Sequence, residues 1–384
     1  MARNDPGPDG RVHRTRIADQ TIEVVRKQQI WDRVNRRTYD LKPSLEYMLK
    51  KTTVYMPDDF GSSFYSPSGS SSSLRWLALS TAGVKRDMPV RIDMQRKTTL
   101  EGITYLRGSL EDIDSAGRIG VLNFASATKP GGGWRNGARA QEESIARSST
   151  LWKSLEGSNA QPFYELHKSI EASWANAARG GGRIGIGKGP GWYTNAMVWS
   201  PRVVVFKNDD GNLVREIEVD VVTSCAVNAK VVSSQAGNSA ATWYSHNQPI
   251  PQPHPGYSFP TWSPHYSHPQ RLPPQQAVDL NGLLYIAMKH RMTRILALFE
   301  SKGTTNLVLG AFGTGVFGND VQMVVQIWRE LLLDRDARFR WSFENVVFAV
   351  RDERTLDIFR RGFGDYGQGS RGGGGRAVTR PGRG

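Results

Sequence analysis

The sequence has a single cysteine and no long apolar run, and each absence removes a class of protein. Cys225 stands alone among 384 residues, so no disulfide framework can form within the chain. No stretch approaches the roughly 20 consecutive apolar residues that a membrane-spanning helix requires. Residues 1–12 are polar and charged, unlike the apolar core of a signal peptide. We therefore expect an intracellular protein, nuclear or cytoplasmic, that does not contact a membrane.

Acidic residues are outnumbered by basic ones, which indicates a polyanionic partner. The 50 Lys and Arg residues exceed the 36 Asp and Glu residues and give a formal net charge of +14. Such a balance attracts phosphate-bearing polymers, RNA and DNA among them. Arg371, Arg376, Arg380 and Arg383 lie in a glycine-rich C-terminal tail that resembles segments binding nucleic acid without sequence preference. A purely solubilising tail explains the same composition equally well.

Four stretches carry too little aliphatic surface to offset the entropy of ordering the chain, and we expect them to be disordered. They are residues 1–12, 61–73, 235–276 and 364–384. The third contains His246, His254, His265 and His268, which lack the regular spacing and cysteine partners of a metal site. We predict neither a metal nor a cofactor. Residues 13–363 are expected to form one domain with flexible insertions at 61–73 and 235–276.

The most informative motif is a glycine loop that leads into two glutamates. Residues 131–133 are all glycine, so backbone amides there can approach a ligand closely. The apolar run 121–125 predicts a buried strand before the loop, and the spacing over 144–155 predicts a helix after it. The sequence Gln141-Glu142-Glu143 therefore stands at a helix start, where free amides favour anions. This combination favours an enzyme that holds a phosphorylated or sugar-like ligand and protonates it.

A second glycine loop has the spacing G-x-G-x-x-G at Gly313, Gly315 and Gly318. It follows an apolar strand at 307–311 and opens a helix at 321–333, an arrangement that places a pyrophosphate at a helix N-terminus. The dinucleotide fingerprint also expects an acidic residue about twenty positions further on, at the end of the next strand. That strand, at 345–350, begins beyond this point. A nicotinamide dinucleotide is therefore disfavoured, while pyrophosphate binding remains.

Together these motifs resemble the catalytic region of microbial-type poly(ADP-ribose) glycohydrolases, which are macrodomain enzymes. The similar segments, in chain order, are residues 121–133, 141–143, 148–151, 192–206, 219–229 and 307–320. The resemblance extends from about Arg14 to about Phe363, apart from the insertions. It implies a macrodomain-like three-layer α/β/α fold with a mixed, largely parallel central sheet. The alternation of strand and helix patterns supports the same layer class.

The resemblance also implies a reaction, a partner and a set of site residues. The reaction is hydrolysis of ribose–ribose O-glycosidic bonds in poly(ADP-ribose), releasing ADP-ribose, and its leaving oxygen needs a proton. Glu143 would donate that proton and later activate water, while Glu142 would hydrogen-bond the adjacent ribose. The partner would be poly(ADP-ribose) or an ADP-ribosylated protein. The implied ligand-binding residues are Asn123, Ser126, Gly131, Gly132, Gly133, Gln141, Gly313, Thr314, Gly315, Val316 and Phe317.

Two residues of the second loop carry further expectations from the resemblance. Phe317 would pack against the distal ribose, although a plain core aromatic is the better interpretation when the residue is taken alone. Thr314 stands where the family commonly has cysteine, a change that leaves the loop amides in place.

Three functions remain open at the level of sequence. At a helix N-terminus the carboxylate of Glu143 would be stabilised as the anion, which opposes acid catalysis, whereas burial, the charge of Glu142 and the ligand's phosphates would act in the opposite direction. The alternatives to hydrolysis are a macrodomain that binds ADP-ribose without cleaving it and a basic nucleic-acid-binding protein. The intact Gln141-Glu142-Glu143 favours the enzyme, because a protein that only binds ADP-ribose needs no positioned acid.

Overall fold

A computed structural model describes residues 8–32, 36–57, 88–110, 117–179, 189–239 and 280–364. Three of the regions expected to be disordered fall wholly or mainly outside these ranges: the insertion at 61–73, most of the insertion at 235–276, and the tail after Gly364. The four insertion histidines and the arginines of the tail also lie outside the described residues.

The elements of the described residues alternate between strand and helix. The strands are β1 Gln29–Asp32, β2 Arg37–Asp40, β3 Thr53–Tyr55, β4 Arg91–Gln95, β5 Ile119–Phe124, β6 Met197–Lys207, β7 Leu213–Ser224, β8 Asn306–Leu309 and β9 Asn345–Ala349. The α-helices are α1 Pro8–Lys27, α2 Lys42–Lys51, α3 Thr99–Ser109, α4 Gln141–Ser148, α5 Leu151–Leu155, α6 Gln161–Arg179, α7 Ala229–Ser239, α8 Leu280–Ser301, α9 Val321–Leu332 and α10 Glu353–Phe363. Short 3-10 turns occupy Trp134–Asn136 and Ser158–Ala160.

The central sheet is mixed and largely parallel, as predicted. Its seven strands run in the order β3-β6-β7-β5-β8-β9-β4. Neighbours from β7 to β4 pair in parallel, while β6 is antiparallel to both β3 and β7. The separate hairpin β1-β2 stands outside this sheet. The carboxyl ends of β7, β5, β8, β9 and β4 therefore meet at one edge.

Helices cover both faces of the sheet, which confirms the three-layer α/β/α arrangement. Successive strand residues point to opposite faces. Val121 and Val221 accordingly belong to a core with α1 to α6, whereas Leu122 and Val222 belong to a second core with α7 to α10. Among the described residues no helix is both long enough and apolar enough to cross a membrane.

The N-terminal helix corrects one sequence expectation. Residues 8–12 were assigned to a disordered segment, but α1 begins at Pro8 and contains them. The apolar content of these residues is low, as the sequence indicated. Tertiary contact orders them instead, because Arg11 Nε donates to the carbonyl oxygen of Asn136 at 2.8 Å and Arg14 Nε to that of Gly137 at 2.6 Å. This helix therefore packs directly behind the first glycine loop.

The prediction of one continuous helix over 144–155 is wrong in where the helix starts and in its continuity. It begins earlier, at Gln141, and breaks at Ser149 and Thr150 before α5. At the break the chain pairs with β6: Thr150 N donates to Val204 O, and Val204 N donates to Thr150 Oγ1, both at 3.0 Å. Side-chain spacing alone could not reveal this pairing. By contrast, the predicted helices at 280–301 and 321–333 are confirmed to within one residue.

Two glycines offer a test of the packing between β5 and α8. A Cβ on Gly120 would lie 2.6 Å from Phe299 Cε1, whereas one on Gly108 in α3 meets no described atom within 4 Å. We expect Gly120→Ala to lower the free energy of unfolding by about 1–3 kcal/mol, because overpacking forces the core apart. Gly108→Ala should raise it by up to about 1 kcal/mol, since alanine favours helix. Urea unfolding followed by circular dichroism measures both, and shifts of the same sign would contradict the described packing.

Candidate active site

A cavity of about 690 Å³ lies at the edge of the sheet where the parallel strands end. Its walls come from the loops after β5, β8, β9 and β4, together with Ala226 after β7 and the ring of Tyr193. The two glycine loops follow β5 and β8, which are direct neighbours in the sheet. Both loops line this one cavity, as the interpretation from sequence requires.

The first glycine loop closes over the two glutamates and depends on the absence of side chains. Gly131 and Gly132 have positive φ angles of 68° and 61°, which side-chain-bearing residues rarely adopt. A Cβ on Gly132 would stand 2.4 Å from Glu143 Oε1, closer than atoms can pack. One on Gly131 would stand 2.7 Å from Trp134 Cδ1. Glycine at these positions therefore lets the main chain lie directly on the acid.

Glu143 is turned inward, with one oxygen fixed and the other without a partner. Its side chain lies in the first turn of α4, and the residue is 8% exposed. Oε1 accepts a hydrogen bond from the Gly133 amide at 3.0 Å. Oε2 is buried and has no hydrogen-bond partner among the described residues. Glu143 is one of the residues that line the cavity.

A buried arginine supports the loop from below. Arg147, one helical turn after Glu143, is 4% exposed. Its Nη1 donates to the carbonyl oxygen of Ala138 and, at 3.5 Å, to that of Trp134. Burial lowers the pKa of Arg147 to about 10, and the negative charge of Glu143 opposes this shift. Arg147 thus ties α4 to the segment that carries the Gly133 amide.

Glu142 is more deeply buried and is held on both oxygens. Oε2 accepts from the Ser126 amide at 2.7 Å, and Oε1 accepts from Asn123 Nδ2 at 3.3 Å. Burial, reinforced by the charge of Glu143, raises the pKa of Glu142 to about 8. At Glu142 burial outweighs the hydrogen bonds from Ser126 and Asn123, which act to lower its pKa. At neutral pH this carboxyl is mainly protonated.

Three residues expected to bind ligand are engaged by the protein itself. Gln141 Oε1 accepts from the Phe124 amide at 2.8 Å, and its Nε2 donates to Leu122 O at 2.7 Å and to Thr99 Oγ1 at 3.1 Å. Asn123 Nδ2 donates to Glu142 Oε1 at 3.3 Å and to Thr223 Oγ1 at 3.2 Å. Ser126 Oγ accepts from the Lys129 amide at 3.2 Å. These side chains join α4 and the loop to the end of β5.

The second loop presents backbone amides at the start of α9. Among the described residues no acceptor takes the amide hydrogens of Gly313, Gly315, Val316 and Phe317. Thr314 differs, because its amide and its hydroxyl both donate to Ala311 O, at 3.3 and 3.0 Å. Asn319 braces the loop by donating from Nδ2 to Gly313 O at 2.9 Å and to Val227 O at 2.7 Å. These free amides lie in the loop before α9, whose own N-terminus is capped by Asp320 Oδ1, which accepts from the Met323 amide at 2.8 Å. Successive backbone amides without acceptors form a favourable anion site.

Tyr193 is a wall residue to which the sequence analysis gave no role. It has a positive φ of 51°, unusual for a residue with a side chain. Its ring centroid lies 5.9 Å from that of Phe317, at an interplanar angle of 37°. The resemblance included the segment around Tyr193, but no glycine or acidic pattern marked it as part of the site.

The loops after β4 and β9 were also missed. Lys97 and Thr98 line the cavity from the loop after β4, and Arg351 and Asp352 line it from the loop after β9. Thr98 Oγ1 donates to Asp209 Oδ2 at 2.6 Å, which brings the β6–β7 turn to the same wall. These residues are ordinary surface types in the sequence, so only the sheet topology assembles them. Within the described ranges, no group of three or more His, Cys, Asp and Glu residues could hold a metal ion.

Comparison with known proteins gives one family. Residues 18–208 match the family model for the microbial-type poly(ADP-ribose) glycohydrolase (PARG) catalytic domain. The structure resembles PARG from Thermomonospora curvata, with a TM-score of 0.63 and 26% identity over 92% of this chain and 100% of that one. The structure of that enzyme bound to the inhibitor ADP-HPD aligns with a TM-score of 0.61 and 26% identity, over 91% of this chain and 99% of that one. PARG from Deinococcus radiodurans in complex with ADP-ribose aligns with a TM-score of 0.57 and 25% identity, over 83% of this chain and 97% of that one. No curated protein sequence matches this chain.

The raised pKa of Glu142 predicts a pH-dependent stability. The carboxyl ionises near 4.5 when unshifted and near 8 in the folded protein. Between these two pH values the Glu142 carboxyl binds more protons in the folded state than in the unfolded state. The free energy of unfolding therefore falls as the pH rises. We expect Glu142→Gln to remove this contribution to the slope of unfolding free energy against pH, as measured by urea unfolding at a series of pH values. Glu165→Gln, at an exposed glutamate of α6, is the matched control and should keep the wild-type slope. Equal slopes in all three proteins would contradict the buried acid.

Proposed function

Through residues 18–208 this chain belongs to the microbial-type poly(ADP-ribose) glycohydrolases, and we propose that it hydrolyses the ribose–ribose O-glycosidic bonds of poly(ADP-ribose) with Glu143 as general acid and base. The observation that carries the proposal is a buried carboxyl with one anchored and one unpartnered oxygen, placed in a cavity between two glycine loops. The product released is ADP-ribose.

The second loop supplies the site for the diphosphate. The amides of Gly313, Gly315, Val316 and Phe317 donate to its oxygens. Thr314 contributes little as a donor, since both its amide and its hydroxyl already bind Ala311 O. The ring of Phe317 packs against the distal ribose. This arrangement places the glycosidic bond of that ribose toward the neighbouring first loop.

Glu143 acts in both halves of the reaction. Its Oε2 gives a proton to the leaving ribose oxygen as the bond to the anomeric carbon breaks, and oxocarbenium character develops on the remaining sugar. The resulting carboxylate then removes a proton from the water that attacks the anomeric carbon, which restores the acid. The Gly133 amide holds Oε1 throughout, so the carboxyl keeps one orientation. One carboxyl therefore serves as acid and then as base.

Glu142 contributes as a neutral neighbour. Because it is mainly protonated at neutral pH, it has one hydroxyl hydrogen to donate to the adjacent ribose, and it adds no second negative charge beside Glu143. The Ser126 amide and Asn123 fix its position. Gln141 aligns both glutamates by anchoring the first turn of α4 on β5. Gly131, Gly132 and Gly133 allow the ribose to approach the backbone closely.

A role in nucleic-acid binding stays a prediction from the net charge of +14 and from the arginines of the tail. A nuclear or cytoplasmic location is likewise a prediction. Neither enters the proposed mechanism.

Digestion of labelled poly(ADP-ribose) tests the proposed reaction. Wild type should release ADP-ribose, and Glu143→Gln should lower kcat by roughly 10²–10⁴-fold, the usual contribution of general acid–base catalysis. Its dissociation constant for ADP-ribose, measured by calorimetry, should change little because Gln keeps the bond from Gly133. Glu165→Gln is the control for an exposed glutamate. Retention of polymer by wild type without release of ADP-ribose would identify a binding protein instead.

A pair of glycine substitutions tests the diphosphate loop. Gly313 has a φ of 75°, and a Cβ there would lie 2.5 Å from Ala226 Cβ, whereas a Cβ on Gly315 meets no described atom within 4 Å. We expect Gly313→Ala to raise the dissociation constant for ADP-ribose about tenfold, because the left-handed conformation costs about 1–2 kcal/mol. Gly315→Ala keeps its amide and should bind nearly as wild type does. Equal losses in both variants would argue against this loop as a preformed anion site.

A further inference from the structure

Arg291 is a buried charge without an acidic partner. It lies in the middle of α8 and is 3% exposed. Among the described residues no carboxylate pairs with its guanidinium; instead it donates to main-chain and side-chain oxygens. Nη1 donates to Cys225 O at 2.8 Å, Nη2 to Trp192 O at 3.0 Å and Nε to Asn195 Oδ1 at 3.2 Å. Burying a charge in this way is costly unless its donors are used, so all three acceptors have to be held in place.

Two of these acceptors lie on either side of Tyr193. Arg291 holds Trp192 O just before Tyr193 and Asn195 two residues after it. Between them the Thr194 amide donates to Nε2 of the buried His167 at 3.2 Å. The chain is therefore fixed at three consecutive points around Tyr193. This fixation accounts for the positive φ of 51° at a residue that has a large side chain.

The constrained Tyr193 forms an aromatic wall with Phe317. The two rings line the cavity with their centroids 5.9 Å apart. The backbone of Phe317 is tied to the same region, because its carbonyl oxygen accepts from the Lys230 amide at 3.1 Å. The Asn228 amide in turn donates to Gly191 O at 2.7 Å. Arg291, through Cys225 O and Trp192 O, joins the end of β7 to the segment that carries Tyr193.

We propose that Arg291 is a positioning residue for the substrate: it holds Tyr193 in its strained conformation and so sets the aromatic wall against which the distal ribose packs. The inference rests on the proposed function for the identity of the ligand. It assigns to Arg291 and Tyr193 an effect on ligand affinity rather than on proton transfer, because neither contacts Glu143. Arg291 therefore governs how tightly the sugar is held before the bond breaks.

The same helix offers a matched control. Arg294, one turn further along α8, is 6% exposed and also donates to main-chain carbonyl oxygens. Its Nη1 donates to Pro57 O and its Nη2 to Met56 O, both at 2.9 Å. Neither Met56 nor Pro57 lines the cavity. Lysine at 291 or at 294 keeps the charge but loses the planar fork, so the two changes place comparable strain on α8.

The experiment compares Arg291→Lys, Arg294→Lys and Tyr193→Ala with wild type. We expect Arg291→Lys and Tyr193→Ala to raise the dissociation constant for ADP-ribose, and KM for the polymer, about three- to tenfold, the range of an aromatic contact. The value of kcat should change less than about twofold, since the acid is untouched. Arg294→Lys should leave both constants at wild-type values. Adding Arg291→Lys to Tyr193→Ala should cause no further loss, because Arg291 acts through Tyr193.

Three outcomes would overturn the inference: equal effects of the two lysine variants, additive effects of Arg291→Lys and Tyr193→Ala, or a loss confined to kcat. If Arg291→Lys does not fold, Tyr193→Ala still tests the wall, and unchanged affinity for ADP-ribose in that variant refutes it. A crystal structure of Arg291→Lys separates this inference from the proposed function. Tyr193 should leave the left-handed region whether or not the polymer is cleaved, and an unmoved Tyr193 would contradict the role of Arg291.

Discussion

The site depends on direct contact between a glycine backbone and a buried carboxyl. The Gly133 amide holds Glu143 Oε1, and Gly132 leaves no room for a Cβ above the same oxygen. A side chain at either Gly131 or Gly132 would force the loop away and expose the acid to water. The loop in turn requires β5 beneath it, α4 beside it and Arg147 below it. Sheet, helix and loop therefore together hold one carboxyl in a fixed orientation at the cavity.

Burial also separates the two adjacent glutamates, which share a residue type but not an environment. Glu142 is enclosed and mainly neutral at neutral pH, with both oxygens held by Ser126 and Asn123. Glu143 lines the cavity, and its Oε2 accepts no hydrogen bond from the part of the chain that the structure describes. Two neighbouring carboxylates in a dry site would repel each other strongly. In the proposed mechanism, a neutral Glu142 adds no second negative charge when Glu143 becomes a carboxylate.

The sequence predicted the elements whose signal is local. Glycine clusters, apolar runs and helical spacing located β5, β8, α8 and α9, and the order of these elements fixed the layer class. Both glycine loops lie at one edge of the sheet, because the structure makes the strands that precede them parallel neighbours. The break between α4 and α5 was missed because it arises from pairing of Thr150 with β6, and the start of α1 was missed because Arg11 is ordered by a distant carbonyl oxygen.

The roles of individual site residues were harder to predict than their location. Gln141 and Asn123 carry amides suited to a ligand, yet their hydrogen bonds go to β5, Thr99, Thr223 and Glu142. No glycine or acidic pattern marks Tyr193 or Arg291, and the role proposed for them rests on an unusual backbone angle and on a guanidinium that no carboxylate of the described residues pairs with. Such features arise from the packing of distant segments. They cannot be predicted from the composition or periodicity of the sequence.

The position of α1 has a practical consequence for preparing the catalytic domain. The family match begins at residue 18, in the middle of this helix. A shortened chain cut at that boundary would lose Arg11 and Arg14, whose guanidinium groups bind the carbonyl oxygens of Asn136 and Gly137 behind the glycine loop. A chain that begins at residue 18 would therefore keep both glutamates and both glycine loops but lose the two arginine contacts behind the first loop.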